Sequence, residues 1–231
     1  MASAIDITRL AENASLRKIA GYIGIAPEGV PITIGAGVAG IILIAFGPGW
    51  LGVVILLLAC AVGAFFRDPE RVAAAPANAV ISGADGKVTD IADEPMPGEA
   101  ADALCRRVSV FMSPLNVHVN RAPTCAEVVA IAHTAGEFRA AFRDDANEHN
   151  ERNLIIFADS AGRRHALIQI AGYLARRIVC RVRPHDRVER GQRLGMIMFG
   201  SRVDHFMPLE YRVTVKIGDH VRAGESVIGE L

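Results

Sequence analysis

An uninterrupted run of uncharged, mostly apolar residues extends from Ile32 to Phe66. A continuous helix over these 35 residues would measure roughly 50 Å, whereas the hydrocarbon core of a bilayer is about 30 Å thick. The triplet Gly47-Pro48-Gly49 lies inside the run and is a strong turn signal. The pattern therefore predicts a helical hairpin with arms Ile32–Phe46 and Trp50–Phe66, each at or just below the usual length for a membrane crossing.

Basic residues flank the hairpin on both sides, namely Arg9, Arg17, Lys18, Arg67 and Arg71. The positive-inside rule then keeps both ends of the hairpin, and the rest of the chain, on the cytoplasmic side of a membrane. A signal peptide is disfavoured, because the apolar stretch is too long and begins too late. We predict a membrane-associated hairpin at residues 32–66 after an amphipathic lead-in at residues 1–31; a buried helical pair in a soluble core is the alternative.

The pattern changes after an Ala/Pro-rich linker (AAAPANA, residues 73–79) to short β-branched runs between turn signals. The runs that indicate strands are VISG, GKVTDI, RRVSVFM, NVHVNR, AEVVAI, NLIIFAD, RHALIQI, RRIVCRV and YRVTVKI. Helical character is sparse, with GEFRAAFRDDANEHNERN the one partial exception. The stretch FGSRVD (199–204) reads, taken alone, as a bend between strands. The fold class is mainly β, with a β-rich domain at residues 67–231.

Two segments of this domain share the pattern D-x-V-x-x-G, at Asp186–Gly191 and Asp219–Gly224. A glycine at such a turn permits positive φ, and the valine packs inward from a short strand. Quasi-repeated hairpins of this kind are typical of barrel-sandwich carrier domains, so the prediction is a barrel-sandwich-like fold. A carrier needs a lysine at the hairpin apex, whereas the comparable turn here holds Gly200-Ser201.

Composition narrows the classes of partner. Lys plus Arg and Asp plus Glu both total 25, so no global charge favours nucleic acid. The four cysteines and seven histidines are scattered without CxxC or HExxH spacing, which argues against a metal site. An Arg-dense stretch at residues 176–193 is either a face towards anionic headgroups or a set of outward strand and turn positions.

Six stretches together resemble a family: FFRDPER, ISGADGKV, FMSPLNVHVNRAP, NERN, QIAGYLARRIVCRV and FGSRVDHFMP. The chain resembles, nearly end to end, the short, membrane-bound phosphatidylserine decarboxylases of bacteria. Archaetidylserine decarboxylases share much of this pattern, so the motifs do not identify the lipid backbone.

The resemblance implies self-cleavage between Gly200 and Ser201, giving a long chain (1–200) and a short chain (201–231) that remain associated. The Ser201 hydroxyl would attack the Gly200 carbonyl to form an ester, and glycine leaves that carbonyl open. Removal of the Cα proton, elimination and hydrolysis would then turn Ser201 into a covalent pyruvoyl group with release of ammonia. Its ketone would form a Schiff base with the amine of phosphatidylserine, and loss of CO₂ would give phosphatidylethanolamine.

The resemblance also indicates acid–base residues. His118 is the candidate for proton transfer, with Asp85 of the ADG turn to orient and charge-balance it. Longer members of the family carry a second histidine at the position of Arg121, so the base for cleavage stays open between His118 and another residue. His205, four residues after the cleaved bond, is an accessory candidate by proximity.

These expectations place the catalytic domain at the cytoplasmic face of a bacterial inner membrane, acting on an anionic phospholipid. Neither a metal nor nucleic acid is expected, and homo-oligomerisation is left open. Two other classes compete: a non-catalytic, membrane-anchored barrel-sandwich adaptor, and a pyruvoyl-dependent decarboxylase of another amino-acid-containing substrate, such as a soluble amino acid.

Overall fold

The computed structural model describes residues 14–98, 103–136, 150–172, 177–198 and 201–231. The chain forms two compact units, Met1–Glu70 and Arg71–Leu231. The first unit is helical over its described residues, and the second is built from β-strands.

The helical unit contains α1 (Ala14–Ile23), α2 (Val30–Phe46) and α3 (Gly49–Phe65). Helices α2 and α3 pack against each other, and the break between them falls at the predicted Gly-Pro-Gly triplet, which confirms a helical hairpin. Pro48 caps α3 in an extended conformation that cannot continue the preceding helix. In the described part of the chain, no helix combines the length and apolar character that a membrane crossing requires.

Close contact between the arms depends on two glycines. A Cβ atom placed on Gly52 would lie 2.6 Å from the Gly40 carbonyl oxygen and 2.6 Å from Ile44 Cγ1. A Cβ atom on Gly37, in the same hairpin, would meet nothing within 4 Å. Small residues thus let the helix backbones approach closely, as in membrane-helix pairs.

Alanine substitutions at Gly37 and at Gly52 should have opposite effects on the stability of the hairpin. Gly37→Ala should stabilise the helices by up to about 1 kcal/mol, because alanine is the better helix former. Gly52→Ala should destabilise them by roughly 1–3 kcal/mol, because the new methyl group overlaps the Gly40 backbone. Denaturant titration of the helical circular dichroism signal in detergent would measure both, and a stabilising Gly52→Ala would contradict the packing.

The β unit contains an antiparallel eight-stranded sheet in the order β13-β2-β3-β11-β7-β6-β5-β9, curled into a half-barrel, and two three-stranded sheets, β1-β14-β12 and β4-β10-β8. The strands are β1 (Ala79–Ile81), β2 (Gly86–Pro95), β3 (Leu104–Met112), β4 (Val119–Arg121), β5 (Ala126–Thr134), β6 (Arg152–Asp159), β7 (Arg164–Ala171), β8 (Ile178–Cys180), β9 (Arg187–Val188), β10 (Arg193–Ile197), β11 (Ser201–Pro208), β12 (Arg212–Val213), β13 (His220–Val221) and β14 (Val227–Glu230). The predicted mainly-β class is confirmed.

The repeated D-x-V-x-x-G segments occupy the two opposite edges of the eight-stranded sheet. Strand β9 pairs with β5 at one edge and β13 pairs with β2 at the other. Their local hydrogen bonds match: Val128 N–H donates to Asp186 O and Val88 N–H donates to Asp219 O, both at 2.9 Å. The two repeats therefore form equivalent edge strands, one at each end of the sheet.

Two strand predictions need correction. YRVTVKI forms a strand only at Arg212–Val213, because the following residues are largely exposed. Ser201, predicted to lie in a bend, begins β11, a buried strand at the centre of the large sheet. The partly helical prediction GEFRAAFRDDANEHNERN falls mostly on residues 137–149, outside the described residues.

The two faces of β11 lie in different surroundings. Val203 and Met207 belong to the main apolar core on one face of the sheet, while Phe206 belongs to a smaller apolar cluster on the other. Since side chains alternate along a strand, Ser201 and His205 share the main-core face. The candidate nucleophile is therefore held inside the core of the β unit.

Candidate active site

Ser201 is fixed by its main chain and by its side chain. It is the first residue of β11, opposite Met112 on β3 and Ala171 on β7. Its side chain is fully buried, and its Oγ donates to the Met112 sulfur at 3.4 Å. Among the described residues this sulfur is the hydrogen-bond partner of the hydroxyl, so neither His118 nor Asp85 holds it directly. Gly200, the other predicted cleavage-site residue, lies outside the described residues.

Gly83, the residue just before the ADG turn (Ala84-Asp85-Gly86), packs under this strand through its backbone. Gly83 N–H donates to His205 Nε2 at 2.7 Å, and Gly83 O accepts from Arg121 N–H at 2.9 Å. A Cβ atom on Gly83 would lie 2.5 Å from the Arg121 carbonyl oxygen. Only glycine allows this approach, so the residue type is set by the contact between the turn and β4.

Asp85 of the same turn is held by an arginine. Its Oδ2 accepts from Arg71 NH2 at 2.9 Å, its Oδ1 accepts from Arg71 NH1, and Oδ1 also accepts from Ala223 N–H at 2.8 Å. Both ion-pair side chains are largely buried. The described hydrogen bonds of this carboxylate are thus with Arg71 and Ala223, and none of them joins Asp85 to His118.

His118 lies just before β4, and Arg121 is the last residue of that strand. The His118 ring is fully buried, and its Nδ1 lies 2.9 Å from the Asn116 carbonyl oxygen. Arg121 NH1 donates to Gly191 O at 3.0 Å, and its Cδ packs where a Cβ on Gly224 would be. Arg121 therefore lies where the two repeats meet.

Both ring nitrogens of His205 are hydrogen-bonded. Because Nε2 accepts from Gly83 N–H, the proton must be on Nδ1, which faces the Val108 carbonyl oxygen at 3.2 Å. Burial lowers the pKa of His205 to about 4, with a smaller opposing effect from the Val108 carbonyl. The ring is neutral and both of its nitrogens are occupied by hydrogen bonds. His205 is therefore better suited to fix the segment at Gly83 to β11 than to act as a base.

The low pKa of His205 predicts a loss of stability in acid. The unfolded chain binds a proton near pH 6.5 but the folded chain only near pH 4, so stability is complete above pH 6.5 and is lost as the pH falls between these values. At about 1.4 kcal/mol per pH unit, the effect amounts to roughly 3 kcal/mol. Urea unfolding from pH 7 to pH 4, in an uncut Ser201→Ala background, should show a smaller acid loss for His205→Gln. Identical losses would contradict the assignment.

Sequence reasoning missed a group of buried amides. Asn153 of the NERN stretch donates to Gln169, and Gln169 donates to Asn120, at 2.9 Å and 2.8 Å. Asn150 of the same stretch donates at 2.7 Å to the carbonyl oxygen of Ala171, the β7 residue that lies opposite Ser201. The resemblance of NERN to the family was the available signal, but its role becomes visible only when β6 and β7 pair.

The Arg-dense stretch has at least one structural member. Arg190 donates to the carbonyl oxygens of Ala75 at 2.6 Å and Ala79 at 3.3 Å, and also to that of Pro76. This guanidinium thus holds the Ala/Pro-rich linker rather than facing solvent.

The described ranges contain no group of three or more His, Cys, Asp or Glu side chains that could hold a metal ion.

Comparison with known proteins agrees with these motifs. A family model described as phosphatidylserine decarboxylase matches residues 58–229. A phosphatidylserine decarboxylase proenzyme of Syntrophus aciditrophicus (strain SB) is 44% identical over 206 residues, which cover 89% of this chain and 96% of that protein. A protein of the same description from Magnetococcus marinus is 41% identical over 210 residues, 90% of this chain and 95% of the relative. One from Chlorobium chlorochromatii (strain CaD3) is 46% identical over 165 residues, 71% and 76% of the two chains. The chain therefore belongs to the phosphatidylserine decarboxylase family.

Proposed function

We propose that this chain cleaves itself between Gly200 and Ser201 and then decarboxylates phosphatidylserine to phosphatidylethanolamine and CO₂. The observation that carries the proposal is the position of Ser201: a buried hydroxyl at the first residue of a central strand, within the region that matches the family. The relatives named above are described as proenzymes, which agrees with a maturation step.

A pyruvoyl group derived from Ser201 fits the surroundings of this residue. The main chain from Ser201 onward is paired on both sides, with β3 and β7, so a new amino terminus there would stay fixed. The residue is enclosed by the protein, which excludes bulk water from its side chain. The ketone of such a group supplies the electron sink for the electrons left when the carboxylate departs as CO₂.

The same pairing would hold the two chains together after cleavage. Strand β11 lies between β3 and β7, while β13 pairs with β2 and β14 pairs with β1. The Ala223 N–H that binds Asp85 also belongs to the short chain. Residues 201–231 are therefore anchored to residues 1–200 by three strands and a buried carboxylate.

His118 remains our candidate for proton transfer, supported by its complete burial in the family-like SPLNVHVNRAP segment. The Arg71 contact supports a different role for Asp85, which ties residues on both sides of the cleaved bond into one structure. Arg121 and His205 are proposed to hold the ADG turn and the repeats in place around the site.

We further propose that the helical hairpin holds the enzyme at the cytoplasmic face of a bacterial inner membrane. Large apolar side chains are exposed on both arms, including Ile41 and Phe46 on α2 and Leu57 and Leu58 on α3. The phospholipid substrate gives the enzyme a reason to stay at a bilayer.

Vesicle flotation tests this attachment. The Leu57→Lys/Leu58→Lys variant should float less with phosphatidylserine-containing vesicles, because each lysine at a hydrocarbon position costs about 2.5–3.5 kcal/mol. Leu104→Lys, at an exposed leucine of the β unit, is the matched control and should float as the wild type does. Equal flotation of all three proteins would contradict attachment through the hairpin.

The function itself is tested by measuring CO₂ release from carboxyl-labelled phosphatidylserine in detergent, beside release from labelled free serine. We expect release from the phospholipid only. Release from serine at a comparable rate would overturn the substrate class, and the absence of any release by a cleaved protein would overturn the activity.

A further inference from the structure

A chain of buried side-chain amides runs from β6 to the sulfur that holds Ser201. Asn153 Nδ2 donates to Gln169 Oε1 at 2.9 Å, and Gln169 Nε2 donates to Asn120 Oδ1 at 2.8 Å. Asn120 Nδ2 then lies 3.6 Å from the Met112 sulfur, which also accepts from Ser201 Oγ at 3.4 Å. All five side chains are buried, so each lost hydrogen bond would leave a polar group without water.

A backbone carbonyl determines the direction in which the side-chain amides donate their hydrogen bonds. Asn120 Nδ2 lies 3.4 Å from Gly83 O, which can only accept, so the amino side of this amide must face Gly83 and Met112. Its Oδ1 must then face Gln169 Nε2, and Gln169 Oε1 must face Asn153 Nδ2. Every amide therefore donates towards Ser201, and amides aligned head to tail polarise one another in the same sense.

We propose that Asn153, Gln169 and Asn120 are positioning residues for self-cleavage, which act through Met112 to set the rotamer of the Ser201 hydroxyl. The inference rests on the proposed function, in which this hydroxyl is the nucleophile. A thioether is a weak acceptor and no base, so it directs the hydroxyl without removing its proton. Asn120 holds the sulfur from one side, and the two other amides prevent Asn120 from turning over.

A carboxylate at Gln169 tests the direction of the chain. In Gln169→Glu the ionised side chain can only accept, so Asn120 would turn its amino group towards it and withdraw it from Met112. The protonated acid can accept from Asn153 and donate to Asn120, which restores the native direction. Self-cleavage of this variant should therefore recover as the pH falls from 8 to 5, whereas Gln169→Met should stay slow throughout.

The titratable groups next to the amide chain do not account for the pH dependence expected of Gln169→Glu. Cys180 lies next to Asn153, and burial raises the pKa of its thiol. His205 contacts Gly83, and burial lowers its pKa to about 4. Both keep one protonation state between pH 5 and pH 8. His118 is common to all variants, and the wild-type profile measured alongside accounts for it.

In the experiment, the full chain is synthesised in a cell-free system, and the rate at which it is cleaved into two chains is measured. Gln169→Met and Asn153→Leu should slow this conversion roughly 10- to 100-fold, because a small misplacement of a reacting group has effects of that size. Met112→Leu, nearly equal in volume, should slow it in the same way. Met196→Leu, at another fully buried methionine, should not.

A second control separates an effect on self-cleavage from a general loss of stability. Ile155→Val on β6 removes a buried methyl group beside the amide chain, and its unfolding free energy can be matched to that of the amide variants in a Ser201→Ala background. Wild-type rates in the Gln169 and Asn153 variants, or a Gln169→Glu variant without recovery in acid, would overturn the proposal. A wild-type chain that never cleaves would instead overturn the proposed function.

Discussion

Replacing Ser201 by alanine should leave the chain whole and remove decarboxylase activity completely. Alanine has no hydroxyl to attack the preceding carbonyl, so no new amino terminus and no pyruvoyl group can form. The decarboxylation rate should fall on the order of 10⁶-fold or more, because the variant lacks the electron sink altogether. Gel analysis of freshly synthesised chain and CO₂ release from phosphatidylserine measure the two effects.

Ser109→Ala provides the matched control. Ser109 is an equally buried serine on β3, the strand that pairs with β11. This variant should mature into two chains and keep its activity, but it should lose about 1–3 kcal/mol of stability, because Ser109 Oγ accepts a hydrogen bond from the buried Arg107 side chain. Cleavage at the same bond in Ser201→Ala, or activity in that uncut chain, would contradict the role of Ser201.

Removing either partner of the Arg71–Asp85 pair should destabilise the β unit strongly. Both side chains are largely buried. Arg71→Met leaves the Asp85 carboxylate with the Ala223 N–H group, and Asp85→Asn leaves Arg71 with Glu225, whose Oε1 lies 3.8 Å from Arg71 Nε. Breaking a buried ion pair in this way typically costs about 3–5 kcal/mol. Urea unfolding in the Ser201→Ala background measures the loss, and the double variant Arg71→Met/Asp85→Leu should recover part of it.

The same variants distinguish two roles for Asp85. If Asp85 chiefly joins the turn to Arg71 and Ala223, then Arg71→Met and Asp85→Asn should slow self-cleavage to a similar extent in the folded fraction. If Asp85 instead assists a histidine base, Asp85→Asn should slow cleavage far more than Arg71→Met. The contacts in the structure favour the first result, and a difference of 100-fold or more would contradict it.

Much of the fold follows from local pattern. The uncharged run with its Gly-Pro-Gly triplet predicts the hairpin, and the β-branched runs predict most strands, because both signals are carried by neighbouring residues. The D-x-V-x-x-G echo indicates two equivalent segments. Its consequence, that they close opposite edges of one sheet, depends on pairing between distant strands and is not visible in either segment alone.

Strand β11 shows why the rest escapes sequence reasoning. Charged residues are mostly exposed in proteins, yet Arg202 and Asp204 are both buried and pair with each other, with NH2 of the arginine 3.1 Å from Oδ2 of the aspartate. Ser201 and His205 point to the opposite face, where Met112 and Gly83 meet them. The partners of Ser201 and His205 lie far away in the sequence, so the strand itself does not reveal what these two residues contact.

The candidate site divides in the same way. The family resemblance points to Ser201, His118 and Asp85 as residues, but it does not say what each contacts. The pairing of Asp85 with Arg71, the neutral state of His205 and the amide chain behind Met112 all arise from tertiary contacts between strands and turns.

Intact-mass analysis of the purified protein tests the central claim most directly. We expect two chains, 1–200 and 201–231, with the 31-residue short chain lighter by one ammonia than a peptide that begins with serine. That mass would identify a pyruvoyl group in place of Ser201. A single mass for the whole chain, or a short chain that carries an intact serine, would contradict the account.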